Sequence, residues 1–204
     1  MENGRLIENP VEIANALNEY FIKVGPNLAK KLSPSNMSFE SYLNENDNPN
    51  NSFYISATCS LEILDIINSF SSSTCEDPVS ISPKIFKMCA TPLSEILVKM
   101  INQCFLNGYF PKCLKLAKVI PIFKDGDEGV LSSWRPILIT PCIAKVIERI
   151  VKKRLVSFLK KHEILSKYQF GYRALHSTTH AILNMCDNII SNFDAKKTYC
   201  FYFS

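Results

Sequence analysis

The side chains best suited to chemistry in this sequence are cations concentrated in one stretch. Residues 112–175 carry 14 Lys and Arg against five Asp and Glu, whereas residues 1–111 carry seven against 12 and residues 176–204 carry two against two. Each Lys or Arg placed against a phosphate releases condensed counterions, so a local excess of nine positive charges indicates a polyanionic partner. A solvated, lysine-rich helix face is the alternative explanation of the same pattern.

Metal-ligating and nucleophilic side chains are present, but their spacing is unfavourable. His176 and His180 have the i, i+4 spacing of a metal-binding helix face, yet no acidic residue lies between them and no third ligand is evident. The eight cysteines are separated by nine residues or more, which matches no zinc motif and predicts buried, reduced thiols. Asp125 and Asp127 flank a glycine and predict a turn. We therefore predict no metal site at these residues.

The elements that must position the cations begin with helices. Three helix starts are predicted where a capping residue is followed by proline or by apolar residues at helical spacing. They lie at Asn9-Pro10, Ser60 and Thr91-Pro92. Gly25-Pro26 is expected to interrupt the first helix, and Gly108 is expected to end the third. Residues 33–52 are rich in Asn, Ser, Glu and Pro and predict a linker.

The periodicity then changes to that of strands. Residues 117–123 and 135–139 predict a β-hairpin with an irregular loop, which Pro121 restricts to an edge or a bulge. Thr140-Pro141 predicts the start of the longest helix. The polar face of that helix carries six cations: Lys145, Arg149, Lys152, Lys153, Lys160 and Lys161. Ser177 is expected to open a last helix, and residues 199–203 predict a final strand.

Targeting signals are not evident. The first 20 residues contain four Glu and no continuous apolar stretch, so no secretory signal is predicted. No apolar run approaches the roughly 18–20 residues needed to cross a bilayer. We expect a soluble intracellular protein of the cytoplasm or nucleus, with no membrane partner.

Two groups of motifs carry a resemblance to a known family. The first group consists of residues 116–127 (LAKVIPIFKDGD), 134–137 (WRPI) and 145–149 (KVIER). It is similar to the first sequence block of the reverse transcriptases of non-LTR retrotransposons of the jockey type. Residues 169–173 (QFGYR) and 176–179 (HSTT) are similar to the second block. Residues 14–29 are similar to the segment that joins endonuclease and polymerase in jockey-like elements. Asp125 and Leu138 depart from the family pattern, which has a basic residue and a serine at these positions.

The resemblance implies a fold and a domain organisation. The expected fold is α+β and mainly helical, with N-terminal helices followed by the fingers part of a right-hand polymerase, whose palm is missing. Three segments are predicted: residues 1–58 as an N-terminal helix and Asn-rich linker, 59–110 as a helical connector, and 111–204 as truncated fingers.

The resemblance and the basic block together suggest binding residues. Lys124 and Arg135 match positions that contact the nucleoside triphosphate in the family, and a guanidinium can hold two phosphate oxygens at once. Nucleic-acid contacts are expected from Trp134, Lys145, Arg149, Lys152, Lys153, Gly171 and Arg173. Structural roles stay open for several of these residues: Arg135 as a solvated surface residue, Trp134 as a core residue, and Arg173 as a brace for the turn at Gly171. The expected partner is an RNA template or an RNA–DNA duplex, bound through residues 112–175.

The catalytic carboxylates of the family are not found in this sequence. Phosphoryl transfer by the complete family enzyme implies two Mg²⁺ ions clamped by carboxylates. In the family, the first aspartate follows a strand like residues 200–203, where this chain has Ser204, and no two aspartates are adjacent anywhere in the chain. The sequence thus predicts a fragment of an RNA-directed DNA polymerase that is inactive alone and holds no cofactor. A non-catalytic RNA- or DNA-binding module is the alternative, and an unselected, poorly folding product of a dead element is a third.

Overall fold

The computed structural model describes residues 8–33, 37–38, 41 and 52–194. Over these residues the fold is α+β and mainly helical, as predicted. Six helices and two strands follow in the order α1 (Pro10–Ala29), α2 (Ser60–Asn68), α3 (Pro83–Met88), α4 (Ala90–Leu106), β1 (Lys118–Phe123), β2 (Trp134–Ile139), α5 (Cys142–Lys161) and α6 (Thr178–Asp194). Most of the predicted linker, the predicted final strand at 199–203 and Ser204 lie outside the described residues.

The chain forms two compact units, one ending at Arg154 and the other beginning at Leu155. The predicted boundaries at residues 58 and 110 stay a prediction. None of the helices in the described ranges is long and apolar enough to cross a membrane.

Helix α1 starts where the sequence predicts and ends later than expected. The Asn9 side chain accepts hydrogen bonds from the backbone N–H groups of Val11 and Glu12, at 2.9 and 3.4 Å, and so satisfies donors that have no partner inside the helix. The expected interruption at Gly25-Pro26 is wrong, because the helix continues through Pro26 to Ala29. A proline removes only one backbone donor, and the carbonyl of Pro26 still accepts from Lys30 N at 3.1 Å.

Two details of the central helices correct the sequence analysis. Helix α3 was not predicted, although Ser82-Pro83 carries its start signal and Ser82 Oγ accepts from Ile85 N at 3.4 Å. Helix α4 begins at Ala90, one residue before the expected cap at Thr91. Gly108 ends α4 as predicted: its φ is +58°, and Tyr109 N returns to the carbonyl of Cys104 at 3.0 Å.

The hydrophobic core joins α2, α4 and α5 within the first unit. Its fully buried side chains include Ile63 and Ile67 from α2, Ile101 from α4 and Ile150 from α5, each 0% exposed. Burying an isoleucine of this kind contributes about 1.5–3 kcal/mol. The start of α5 is thereby fixed against α2, which determines where the cations of α5 lie.

The N-terminus of α5 is capped by a residue far away in sequence. The Asp77 carboxylate accepts from Cys142 N at 2.9 Å through Oδ2 and from Val79 N and Ile81 N, both at 3.0 Å, through Oδ1. The helix starts after Thr140-Pro141 as predicted, but its cap comes from the loop that precedes α3. Burial, with the Asp77 charge second, raises the pKa of the Cys142 thiol to about 11.

Most of the described cysteines are not buried, contrary to expectation. All seven are free thiols, and only Cys104 and Cys142 are buried. Cys59 and Cys89 occupy the positions before α2 and α4, where the chain turns into a helix near solvent. Cys200 lies outside the described residues.

Strands β1 and β2 form the predicted antiparallel hairpin. Phe123 is paired with Trp134 and Lys118 with Ile139, which places Pro121 directly opposite Pro136. Among the described residues this is a two-stranded sheet, so both strands are edges, as Pro121 requires. Helix α1 and β1 line an apolar cavity of ≈ 340 Å³, to which Val119 and Pro121 contribute from the hairpin.

Candidate nucleic-acid interface

Lys124 and Arg135 lie on the same face of the hairpin. Lys124 N donates to Ser133 O at 2.8 Å, which continues the ladder one pair beyond Phe123 and Trp134. Because side chains alternate along a strand, Lys124 shares a face with Ile122, and Ile122 is paired with Arg135. Residues at such diagonal positions have Cα atoms about 7–8 Å apart. Both side chains are exposed on the face opposite to Val119 and Pro121, the residues that line the cavity with α1.

Trp134 lies on the other face of the hairpin, where protein groups hold it. Its ring contacts Phe123 edge-on, with centroids 5.6 Å apart and planes at 70°. Its Nε1–H donates to the carbonyl of Glu128 at 3.0 Å. The indole therefore ties the hairpin loop to the strands, and it is half-buried rather than part of the core.

The loop between the strands uses its aspartates for its own turn. Asp127 Oδ1 accepts from Gly129 N at 2.8 Å, and Asp125 lies 3.6 Å from the ammonium of Lys124. Gly126 has a φ of +91°, and a Cβ there would lie 3.1 Å from Ser133 Oγ, so this position needs glycine. The expected turn is confirmed. The described residues contain no cluster of three metal-ligating side chains.

Arg149, one of the predicted α5 cations, contacts the end of α2. Its guanidinium carbon is 4.4 Å from the centroid of the Phe70 ring, and Nη1 donates to Ser69 Oγ at 2.6 Å. A weaker contact of 3.5 Å reaches the carbonyl of Ile66. Cations near a helix C-terminus satisfy free carbonyls and interact favourably with the helix dipole. Arg149 remains exposed but already has protein partners.

Glu62 on α2 holds two further cations of α5. Arg154 reaches Glu62 Oε2 through Nη2 at 2.6 Å and Oε1 through Nη1 at 3.0 Å, and Lys153 Nζ lies 3.0 Å from Oε1. The hydrogen bond from Arg154 is the main cause that lowers the pKa of Glu62 from its ordinary value to about 2. Lys152 is exposed and, among the described residues, makes no ion pair, while Lys145 is half-buried near the start of α5.

Arg154 was missed by the sequence analysis. Its side chain is 13% exposed and also donates to the carbonyls of Ser56 and Ala57, both at 3.0 Å. The available signal was its spacing, because Arg154 follows the buried residues Ile147 and Ile150 by seven and four positions on the same helix. Of three consecutive cations on α5, Lys152 is therefore exposed to solvent, whereas Lys153 and Arg154 contact Glu62.

Gly171 and Arg173 lie in the loop before α6, in the second unit. Arg173 Nη1 donates to the carbonyls of Ser166 and Gln169 at 2.9 and 3.3 Å, which is the bracing geometry considered for it. Gly171 is in a turn, but the left-handed backbone is adopted by Tyr172, with φ +59°. A Cβ at Gly171 would meet nothing within 4 Å.

His176 and His180, in the second unit, make local hydrogen bonds. His176 Nδ1 lies 3.0 Å from the carbonyl of Ala174, and His180 Nδ1 lies 3.3 Å from Ser177 Oγ. These contacts set the start of α6, with Ser177 Oγ also accepting from His180 N at 3.3 Å.

Comparison with known proteins gives relatives of one kind. The chain is 32% identical over 131 residues to a probable RNA-directed DNA polymerase from transposon BS and 38% identical over 102 residues to one from transposon X-element, both of Drosophila melanogaster. It is 31% identical over 102 residues to the RNA-directed DNA polymerase from mobile element jockey of the same organism. The chain is homologous to non-LTR retrotransposon polymerases. This finding confirms the resemblance inferred from the motifs.

The homology to the non-LTR retrotransposon polymerases is confined to a part of each protein. The three alignments cover 60%, 50% and 48% of this chain and 14%, 11% and 11% of the respective relatives. No protein-family model matches the chain. The chain thus spans a small share of the length of these polymerases.

Proposed function

We propose that this chain is the fingers segment of a mobile-element RNA-directed DNA polymerase, and that it binds nucleic acid without catalysing polymerisation by itself. The homology to three such polymerases supports the family assignment. The observation that carries the binding role is that Lys124 and Arg135 lie at diagonal positions on one face of the hairpin. Both side chains are exposed, and this face is opposite to the one that lines the cavity. Two cations at that separation suit the oxygens of a triphosphate or of successive phosphates.

Nucleoside triphosphate is the proposed ligand of the hairpin face. Lys124 has one weak partner, Asp125 at 3.6 Å, and both side chains are largely exposed. An exposed pair of this kind contributes at most about 1 kcal/mol, so a polyanion can displace the carboxylate. Arg135, opposite Ile122, then provides a second, planar donor.

An RNA template or an RNA–DNA duplex is the proposed ligand of the basic helix α5. Lys152 is the cation best placed for a phosphate, because it is exposed and makes no ion pair among the described residues. Lys153 is 71% exposed but shares Glu62, and Arg149 is held against Phe70. Backbone contacts of this kind give affinity without sequence preference, and the proposed location is the cytoplasm or nucleus, where such templates occur.

The proposed inactivity concerns these 204 residues by themselves. Primer extension in the complete family enzyme would need two Mg²⁺ ions held by carboxylates. The sequence has no adjacent aspartates, and Asp127 accepts a hydrogen bond from Gly129 N within the hairpin loop. We therefore assign no catalytic residue to the chain.

A non-catalytic RNA- or DNA-binding module is the second candidate, favoured by the basic excess of residues 112–175. The two candidates differ in the hairpin. A polymerase segment retains affinity for deoxynucleoside triphosphate, whereas a module that uses only α5 does not.

The test of the binding role is the salt dependence of affinity for a labelled RNA–DNA duplex. We expect log K to fall linearly with log salt, with a slope of roughly −0.9 per phosphate contacted. Lys152→Glu should make that slope shallower by about 1. Lys99→Glu, an exposed lysine on α4 outside the basic block, is the matched control and should leave it unchanged. Equal slopes for the wild type and Lys152→Glu would mean that α5 is a solvated helix face.

A further inference from the structure

In the loop before α6, the aromatic ring of Tyr172 is exposed to solvent, and the backbone of this residue is in the left-handed region. Tyr172 and Leu175 have φ values of +59° and +64°, a region that bulky L side chains seldom adopt. Both side chains are almost completely exposed, at 108% and 95%. Among the described residues Tyr172 makes no hydrogen bond or ring contact that would compensate for this conformation. Backbone strain of this kind is found where a binding site needs a fixed geometry.

Hydrogen bonds on both sides of Tyr172 hold the backbone from which its ring projects. The guanidinium of Arg173 bridges the carbonyls of Ser166 and Gln169, and the amide of Gln169 donates to the carbonyl of Gly171 at 3.3 Å. The residues on each side of Tyr172 are thus bound to the same short loop. The exposed ring therefore sits on a braced base.

The positive charge of this loop indicates that its partner is a polyanion. No Asp or Glu occurs between Ile164 and Cys186, whereas Lys167, Arg173 and two histidines do. Lys167 Nζ is 5.0 Å from the centroid of the Tyr168 ring, and Tyr168 is 63% exposed. Exposed aromatic rings interleaved with cations form the stacking platforms of proteins that bind single-stranded nucleic acids. An acid-free stretch of this kind favours a polyanion over an apolar protein surface.

We propose that Tyr172 is a stacking platform for an unpaired base of a single-stranded nucleic acid. This inference rests on the proposed nucleic-acid binding and adds a second mode to it. The hairpin and α5 bind charge, whereas Tyr172 binds the face of a base. Stacking is tolerant of sequence because every base has a π-face.

The experiment compares two single-stranded oligonucleotides of about 12 nucleotides, one with bases and one abasic at every position, so that the number of phosphates is equal. Affinities are measured for the full 204-residue chain by fluorescence anisotropy. The wild type should bind the base-containing strand about 5- to 150-fold more tightly than the abasic strand. Tyr172→Ala should lose this preference and retain its affinity for the abasic strand, while Tyr172→Trp should keep the preference. Because the side chain packs against nothing in the described structure, Tyr172→Ala is expected to fold.

Tyr54→Ala is the matched control, since Tyr54 is a tyrosine 80% exposed outside this loop. A Tyr172→Ala protein that still prefers the base-containing strand overturns the stacking role. A wild type with a salt-dependent affinity but no preference between the two strands also overturns it, and leaves the proposed function standing. A wild type that binds neither strand and no duplex overturns both. Binding of an unrelated apolar protein that Tyr172→Ala abolishes, without any preference for bases, assigns the loop to a protein partner and overturns the inference.

Discussion

Glu62 on α2 and Arg154 on α5 form a two-point ion pair that connects the first half of the core to the basic helix. The contacts are 2.6 Å between Oε2 and Nη2 and 3.0 Å between Oε1 and Nη1, and the two side chains are 14% and 13% exposed. Thr58 Oγ1 also donates to Glu62 Oε2 at 2.8 Å. Such a pair fixes the register of α5 against α2 because a guanidinium and a carboxylate match in only a few orientations.

The Glu62 ion pair predicts acid sensitivity. The pKa of Glu62 falls from the ordinary 4.5 to about 2 on folding, so the folded state releases this proton more readily than the unfolded chain. The resulting stability, roughly 3 kcal/mol, is present above pH 4.5 and is lost as the pH falls toward 2. Glu62→Gln should lower the free energy of unfolding at pH 7 by about 3 kcal/mol, because the largely buried charge of Arg154 is left without a carboxylate. Urea unfolding across this pH range measures both effects.

Glu148→Gln is the control for the acid experiment, since Glu148 is an exposed glutamate on α5. Its free energy of unfolding should follow that of the wild type within about 0.5 kcal/mol. If Glu62→Gln retained the full acid sensitivity of the wild type between pH 4.5 and 2, another carboxylate would have to be responsible.

Removal of the Asp77 cap should destabilise the start of α5. Asp77→Ala leaves the buried N–H group of Cys142 and the part-buried N–H groups of Val79 and Ile81 without their carboxylate, which costs about 1–3 kcal/mol. Asp77→Asn keeps an acceptor but loses the charge at the helix N-terminus, so its cost should be smaller. Urea midpoints give the free energies, and hydrogen exchange at the Cys142 amide should accelerate specifically. Asp65→Ala, an exposed position on α2, should be close to neutral, and equal effects at both positions would argue against the cap.

The prolines of the hairpin should keep its edges unpaired. The hydrogen bond from Lys124 N to Ser133 O makes that pair a hydrogen-bonded one, and the alternation along the ladder places Pro121 and Pro136 at a non-hydrogen-bonded pair. Backbone groups at such positions point outward, so each proline removes a donor from an outer edge. Replacing both with valine should restore these donors and give concentration-dependent association by light scattering. A double variant as monomeric as the wild type at all concentrations would assign the prolines no protective role.

The hairpin face should bind a triphosphate through two cations. Lys124→Ala and Arg135→Ala are each expected to weaken binding of a fluorescent deoxynucleoside triphosphate by about tenfold, since charge-assisted hydrogen bonds contribute about 1.5–3 kcal/mol. Lys118→Ala is the matched control, because Lys118 is exposed on the same strand and face but about 20 Å away. Equal losses in all three variants would indicate a general effect of charge, and no loss in any of them would exclude the hairpin as the site.

Local signals in the sequence predicted most of the elements. Asn9-Pro10, Gly108 and Gly126 specify their caps and turns through their own backbone and side-chain chemistry, so the structure agrees with them. Local signals failed at Pro26, where the rest of the helix tolerates one missing donor. They were overlooked at Ser82-Pro83, because a helix of six residues has little apolar periodicity.

The sequence by itself also determined the homology and the basic excess of residues 112–175, because motifs and charge are properties of the chain that need no fold. Only the tertiary structure decided which cations face solvent. Arg154 and Lys152 are two residues apart on one helix, yet Arg154 is bound to Glu62 and Lys152 is exposed. The tertiary structure also decided the role of Asp77, whose carboxylate caps a helix that starts 65 residues later. Such contacts join residues that are distant in sequence, and their energies depend on burial and orientation, which exist only once the helices have packed.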